Sequence, residues 1–226
     1  MKEVCVVLPA LNEEHTVGLV IDEIPAGEIE KRGYKTYVMV VDNGSTDGTG
    51  RIAREKGAEV IEVEQRGKGI ALRTAIKALR GDYVFMLDAD YTYPATHIVE
   101  MLELLEGGGD VVIGSRLKGR MMKGSMSMFN RVGNYLLALM ANILYGTRIS
   151  DPYSGCWGFR RDVLDKLKLD ANGFDIEANM LTEVARNGYQ IAEIPIQYRR
   201  RTTPPKLNSV RDGFKIGKTL VRNRFR

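Results

Sequence analysis

The 226-residue sequence predicts an α/β fold with a mostly parallel sheet covered by helices on both faces. Short β-branched-rich runs alternate with stretches of helical composition through the first half, and glycines fall where those helices should stop. A content of 44% hydrophobic and 27% charged residues belongs to a globular chain with a real core.

The first strand is "EVCVVLP" (residues 3–9), with Pro9 ending its pairing. In "LPALNEE", Asn12 and Glu13 stand at the start of a helix expected over residues 13–24. "KTYVMVVD" (35–42) is the second strand and ends on Asp42, an acid at the carboxyl end where open α/β sheets bind ligands. A Gly/Ser/Thr-rich turn follows, and Asp47 is suited to cap a helix over 47–56. "AEVIEVE" (58–64) is the third strand. After it, "QRGKGIALRTA" sets Lys68 between Gly67 and Gly69 at the head of a helix over 69–79, a place for phosphate. "DYVFMLD" (82–88) is the fourth strand, and a helix over 95–105 leads to the fifth, "DVVIGS" (110–115). Gly33, Gly57, Gly81 and the run 107–109 are the expected helix stops.

The second half is less regular. "LKGRMMKGSMSMFN" (117–130) is punctuated by glycine and carries four methionines, which predicts a mobile loop with an adaptable apolar surface. A helix follows to about Tyr145, then the turn-rich "DPYSGCWGFRR" (151–161), a helix over 177–187 and the strand "QIAEIPIQY" (190–198). Near the end, Val210, Phe214, Gly217 and Val221 recur at helical spacing with basic residues between them, an amphipathic basic helix. It suits either a lipid surface or a terminal helix docked on the core with a solvated charged face. The expected organisation is one catalytic-type domain over 1–207 and this helix over 208–226.

The net charge of +4 is unevenly spread: residues 199–226 hold ten Lys or Arg against one Asp, leaving the first 198 residues at −5. A basic tail binds nucleic acid or an anionic membrane, and charge alone does not separate the two. Cys5 and Cys156 form neither a disulfide framework nor a metal spacing, which points to a reducing, intracellular setting. No secretory signal or membrane-spanning run is visible, so a soluble or peripheral protein is expected.

The chemistry centres on "LDAD". The apolar run from Tyr83 to Leu87 delivers Asp88 and Asp90, spaced so that both would face one ligand in a strand. Two adjacent acids repel without a cation between them, which suggests a hard ion such as Mg²⁺ or Mn²⁺. Other chemistries are excluded. "GSTDGTG" does not fit a dinucleotide fingerprint, "GKGIA" lacks the hydroxyl residue of a P-loop, no nucleophile elbow exists, and His15 and His97 are isolated.

Taken in order, "VVLPALNEE", "VVDNGSTDGT", "RGKG", "LDAD", "IGSR" and "DPYSGCWGF" resemble family 2 glycosyltransferases of the GT-A fold. The later "FDIEANML", "NGYQIAEIPIQYRRR" and "PKL" are similar to the branch that glycosylates polyprenyl (dolichyl) phosphate with mannose or glucose. The resemblance covers residues 4–207. It implies that Pro9, Ala10, Asn12, Glu13 and Asp42 contact the nucleoside, and that Lys68, Asp88 and Ala89 line its ribose or phosphate side. Asp90, with Asp88 beside it, would hold Mg²⁺ or Mn²⁺ on the diphosphate. Arg116, treated as mobile, and Arg131 match phosphate-binding positions, and Asp151 matches a candidate general base. Glu177 is a supporting acid, and Arg200 aligns best with the arginine of an R-x-x-G-x-S-K-L pattern that cradles acceptor phosphate.

Two departures leave choices open. Thr92 stands where many relatives place a metal-ligating Gln, which leaves the metal shell and the sugar open. Thr203 and Pro205 replace the Gly and Ser of the tail pattern, which leaves Arg199 and Arg201 as alternatives to Arg200. The implied activity is inverting transfer of a hexose or N-acetylhexosamine from a GDP- or UDP-sugar to polyprenyl phosphate. It would run at the cytoplasmic membrane face, with salt-sensitive peripheral contact to anionic lipid and no nucleic-acid partner. A GT-A transferase with a soluble or glycan acceptor is a second reading. A nucleic-acid or anionic-surface binder acting through the tail is a third; few aromatics interleave with its arginines.

Overall fold

The computed structural model describes residues 2–226. Strand β1 (Lys2–Ala10) leads through α1 (Val17–Glu23) and α2 (Ala26–Lys31) to β2 (Tyr34–Asp42), then α3 (Thr49–Glu55), β3 (Glu59–Glu62), α4 (Lys68–Ala78) and β4 (Tyr83–Leu87). After a short 3₁₀ turn come α5 (Ile98–Glu106), β5 (Val111–Met121), α6 (Met128–Tyr145), β6 (Cys156–Arg160), α7 (Arg161–Leu164), α8 (Ile176–Arg186), β7 (Ile191–Tyr198) and α9 (Ser209–Arg224). They form one seven-stranded sheet in the order β3-β2-β1-β4-β6-β5-β7. Strands β1 to β4 are mutually parallel, β6 runs antiparallel to both neighbours, and β5 pairs parallel with β7.

Alternation along β1 explains the three layers. Val4, Val6 and Leu8 join one core with α1, α2, α3 and α5, whereas Cys5 and Val7 join the other with α4, α6, α8 and α9. Both faces are therefore apolar, as the near-continuous hydrophobic runs require. Both cysteines are buried and unpaired, and burial pushes their thiols up to about 12, which removes them as nucleophiles.

Chain order reverses at β1: the path proceeds to β2 and β3 on one side, then returns to β4 on the other. That makes the crevice beyond the carboxyl ends of β1 and β4 the natural ligand position. Because β6 is antiparallel, it brings its amino end, and the 151–155 segment before it, to this same edge.

Three elements differ from expectation. The segment read as turn-rich contains β6, a strand buried between β4 and β5. Its Gly158 mimics a turn signal but serves packing: a Cβ there would meet the Phe85 ring at 2.8 Å. Strand β5 continues to Met121 through a register shift between Ser115 and Arg120, so the first part of the expected mobile loop, 117–121, is strand, with Arg120 and Met121 paired to Gln197 and Tyr198 of β7. Helix α1 begins at Val17 rather than at residue 13, because Asn12 adopts φ 49° and Glu13–Thr16 form a turn.

The last helix is docked. Asn208 caps α9, accepting from the Arg211 amide at 3.0 Å, and Asp212, Ile216, Thr219, Leu220 and Asn223 are buried. Tyr145 on α6 donates to the Leu220 carbonyl at 2.7 Å, and Asn223 donates to Thr182 on α8 at 2.9 Å. Of the spaced positions noted in sequence, Val210, Phe214 and Val221 point outward, and Gly217 sits against Leu137.

Candidate active site

The carboxyl edge of the sheet collects most of the predicted residues. The loop after β1 is tied to the loop after β2: the Asn12 amide donates to Ser45 Oγ at 2.9 Å, and its Oδ1 accepts from the Thr46 amide at 2.8 Å. Ala10 is joined to them through the Asn43 amide, which donates to its carbonyl at 2.8 Å. Pro9 pairs with Val41 across β1 and β2, one residue before Asp42. Asp42 is nearly buried and accepts from the Ser45 amide at 2.9 Å, while its other oxygen would lie only 2.8 Å from a Cβ at Gly50. Asp47, expected to cap α3, stands one residue before its Gly48 cap; its carboxylate accepts from the Thr49 amide at 3.0 Å and the Glu14 amide at 3.2 Å.

Strand β4 ends at Leu87, so Asp88, Ala89 and Asp90 lie in a turn rather than on one strand face. Tyr91, with φ 61°, bends the chain sharply there. The two acids therefore do not converge on one cation. Asp88 accepts from Lys68 Nζ at 2.6 Å, and the same ammonium lies 2.5 Å from Glu177. Burial alone would lower Lys68, but the two carboxylates more than offset it and hold the lysine charged. Burial, with the Asp88 charge nearby, raises Glu177 against the opposing effect of Lys68. Gly155 packs on this pair so closely that a Cβ would fall on the Asp88 carboxylate.

Asp90 is held separately. Its Oδ1 accepts from Thr92 Oγ1 at 2.6 Å and from the Thr92 amide at 3.1 Å, while Oδ2 lies 3.0 Å from Arg201 Nη1. Thr92 thus orients Asp90 through both its hydroxyl and its amide. Burial and Asp88 raise the Asp90 carboxyl above the ordinary range, with Arg201 and Thr92 opposing. Arg201 also donates to Glu13 Oε1 at 2.7 Å, and Lys206 reaches the same oxygen at 2.6 Å. The sequence pattern assigns one of Arg199, Arg200 and Arg201 to acceptor phosphate, whereas Arg201 faces the donor-side acids. The signal this assignment passed over was the charge complementarity of Arg201 and Lys206 to Glu13 and Asp90.

The site fits a divalent ion of the Mg²⁺ or Mn²⁺ type. Asp90 already presents one carboxylate oxygen to a cationic group, and no cluster of three metal-ligating side chains exists among the described residues. One or two carboxylates completed by substrate phosphate is how such ions are held.

On the far side, Arg116 and Asp151 form a buried bidentate pair: Nε donates to Oδ2 and Nη2 to Oδ1, both at 2.7 Å, and the Arg116 amide adds a bond to Oδ2 at 2.9 Å. Two expectations change here. Arg116 is locked rather than mobile, and Asp151, fully buried with both oxygens engaged, is arranged to position Arg116 rather than to take a proton. Behind them, the inward-facing Glu193 of β7 accepts from the Ser150 amide at 2.9 Å, the Asp151 amide at 3.0 Å and Lys118 at 2.8 Å. Nothing in the sequence marked Glu193, since it alternates within an ordinary strand pattern.

The three consecutive arginines after β7 have different fates. Arg199 pairs with Glu23 at 3.0 Å and lies over the Tyr91 ring at 4.2 Å, and Arg201 faces Asp90. Arg200 is exposed beside Gly124, and no bond to its guanidinium is found among the described residues. Arg131, in the first turn of α6, is likewise exposed, apart from the Asp90 cluster. A cleft of about 490 Å³ between α6 and the 147–150 segment is lined by Leu117, Tyr135, Ala138, Leu139, Arg148 and Ser150, and so adjoins the Arg116–Asp151 pair.

Comparison with known proteins bears on the family and the fold. The model of Glycosyl transferase family 2 matches residues 5–168. The chain is 37% identical over 225 residues to a dolichyl-phosphate hexose transferase of Haloferax volcanii, covering 97% of this chain and 93% of that protein. It is 36% identical over 220 residues to the low-salt glycan biosynthesis hexosyltransferase Agl6 of the same organism, covering 96% of this chain and 53% of that longer protein, about half its length. Among solved structures, it resembles glucosyl-3-phosphoglycerate synthase from Mycobacterium tuberculosis in complex with Mn²⁺, uridine diphosphate and glucosyl-3-phosphoglycerate. That likeness has a TM-score of 0.75 and 26% identity over 99% of this chain and 80% of the other. With the family pattern spanning most of the chain and its motifs gathered at one edge of a GT-A sheet, the chain belongs to glycosyl transferase family 2.

Proposed function

We propose that this chain transfers a hexose or N-acetylhexosamine from a nucleoside diphosphate sugar to a polyprenyl phosphate, working at a membrane surface. The observation that supports a lipid acceptor most directly is the outward face of α6. Only Ala138 and Ala141 of its eighteen residues are buried, whereas Phe129, Val132, Leu136 and Ile143 are mostly exposed. Phe214 and Val221 of α9, which packs against α6, are exposed as well, and so are Lys123 before α6 and Lys215, Lys218 and Arg222 on α9. Exposed apolar residues interspersed with cations suit an anionic bilayer. The cleft beside Arg116 would take the first isoprenoid units, and the unpaired Arg200 and Arg131 would take the phosphate. The name of the 37%-identical relative, a dolichyl-phosphate hexose transferase, supports the same reading.

In this reading the donor lies across the ends of β1, β2 and β4, its nucleoside against Pro9–Glu13 and Asp42 and its diphosphate toward Lys68 and Asp90. A uridine nucleotide is favoured by the likeness to a structure holding uridine diphosphate. The acceptor phosphate oxygen attacks the anomeric carbon from the face opposite the leaving group. A carbon–oxygen bond forms, the bond to the diphosphate breaks, and its electron pair leaves with the nucleoside diphosphate. The attacking oxygen is already ionised near neutral pH, so no general base is required, in keeping with the engaged carboxylate of Asp151. A divalent ion on Asp90, Mg²⁺ or Mn²⁺, would neutralise charge developing on the leaving diphosphate. Lys68, kept charged by Asp88 and Glu177, adds a fixed positive group to the same side.

A soluble acceptor is the second reading, favoured by the likeness to a phosphoglycerate glucosyltransferase. The discriminating experiment supplies labelled UDP- and GDP-sugars with polyprenyl phosphate or with 3-phosphoglycerate. Label entering the organic phase only with the lipid supports the proposal. Label confined to the aqueous product with phosphoglycerate replaces it by the second reading.

A further inference from the structure

The segment between β7 and α9 crosses the donor side of the site as a strap. One end is fixed where the Arg199 amide donates to the Thr92 carbonyl at 2.9 Å, and the other where Asn208 caps α9. Between these anchors two cations reach into the cleft. Arg201 bridges Asp90 Oδ2 at 3.0 Å and Glu13 Oε1 at 2.7 Å. Lys206 contacts Glu13 Oε1 at 2.6 Å and the carbonyls of Leu11 and Asn12. These are the residues on which the nucleotide and its cation would rest.

Occupancy of Asp90 then becomes a competition. Its Oδ1 is already saturated by Thr92, so Oδ2 is the oxygen left for a ligand, and that is where the guanidinium sits. A divalent ion bound at about 2.1 Å from this oxygen would lie inside the space that Arg201 fills. We propose that Arg201 and a divalent cation are alternative occupants of Asp90, so that strap 199–207 closes the empty donor site and is released when nucleotide and metal enter. The inference rests on the glycosyltransferase reading for the identity of the cation and goes beyond it by assigning the strap a switching role. While the site is empty, Arg201 supplies the positive charge that the Asp88–Asp90 turn needs. Once displaced, Arg201 and Lys206 stand free beside the diphosphate, next to the exposed Arg200. Loading of the donor therefore precedes capture of the acceptor phosphate.

A closed strap reduces apparent metal affinity by the fraction of molecules already open. Free Mn²⁺, followed by its solution electron paramagnetic resonance signal during titration of the intact chain, reads that fraction. Arg201→Gln should bind Mn²⁺ about tenfold more tightly than the parent without nucleotide, the size expected if about one molecule in ten is open at rest. Lys206→Gln should shift affinity in the same direction without touching Asp90, and keeps the test available if the first variant does not fold. Lys31→Gln, an equal charge change at the exposed end of α2, should leave the affinity unchanged. Unchanged or weaker Mn²⁺ binding in both strap variants overturns the inference while leaving the glycosyltransferase reading intact. Absence of Mn²⁺ binding by the parent even with uridine diphosphate present overturns both, since Arg201 would then be the permanent cation of the site.

Discussion

Asp88 and Asp90 are two residues apart, yet their partners set them different tasks. Asp88 is paired with a lysine that Glu177 also holds, whereas Asp90 offers one oxygen to an exchangeable cation. Burial and the Asp88 charge raise the Asp90 carboxyl, so the folded chain keeps this proton to higher pH than the unfolded chain does. Stability from this group is therefore lost as pH rises from about 3.9 through the raised value, leaving a penalty at neutral pH. Asp90→Asn should melt at the same or a higher temperature than the parent at pH 7, with the gap closing toward pH 4, while transfer falls at least about 100-fold. A clearly lower melting temperature at pH 7 would show that the Arg201 contact outweighs the burial cost. Asp151→Ala should behave oppositely. It leaves Arg116 buried without its partner and should cost about 3–5 kcal/mol in urea denaturation. Were Asp151 only a proton acceptor, stability would hold and only the pH–rate profile would change.

Helix α6 is held to the fold by Ala138 and Ala141 and by the half-buried Leu137, Met140, Leu144 and Tyr145, and turns Phe129, Val132, Leu136 and Ile143 outward. Leu136→Glu alters a position that is 57% exposed, so the melting temperature should stay within a degree or two (about 0.5 kcal/mol). Co-sedimentation with anionic vesicles should weaken about tenfold, the loss of one apolar side chain from a lipid contact. Undiminished co-sedimentation would remove α6 from the proposed surface. The sequence was legible wherever one periodicity dominated. Strands β1, β2 and β4 are carried by apolar runs, and Asp42 ends β2 as expected, whereas β1 stays paired through Pro9 to Ala10 and β4 stops one residue before Asp88. Strand β6 was hidden because Gly155 and Gly158 read as turn residues, although close packing on Asp88 and Phe85 is what requires them. In α9 the obvious apolar stripe is the exposed one, since the buried face mixes Ile216 and Leu220 with Asp212, Thr219 and Asn223. No periodicity distinguishes Arg199, Arg200 and Arg201. Only the turn of the backbone after β7 sends one to Glu23, one outward and one to Asp90.

Across the whole molecule, the basic last 28 residues and the acidic remainder meet at the site rather than lying apart. The reversal of chain order at β1 opens the crevice, the antiparallel β6 closes one wall with Gly155, and the strap returns from β7 to cover it. Raising salt from 0.1 to 0.5 M should release the chain from anionic vesicles more readily than it lowers transfer to a detergent-dispersed acceptor, because exposed lysines are screened and the buried pairs are not. Equal loss of both would tie the membrane contact to the site itself. The account depends above all on a cation at Asp90 beside the leaving diphosphate. The anomalous difference map of a crystal grown with Mn²⁺ and uridine diphosphate tests this directly. A peak within about 2.3 Å of Asp90 Oδ2, bridged to the diphosphate and with Arg201 turned away, is the predicted result. A nucleotide bound with Arg201 still on Asp90 and the Mn²⁺ peak elsewhere would contradict it.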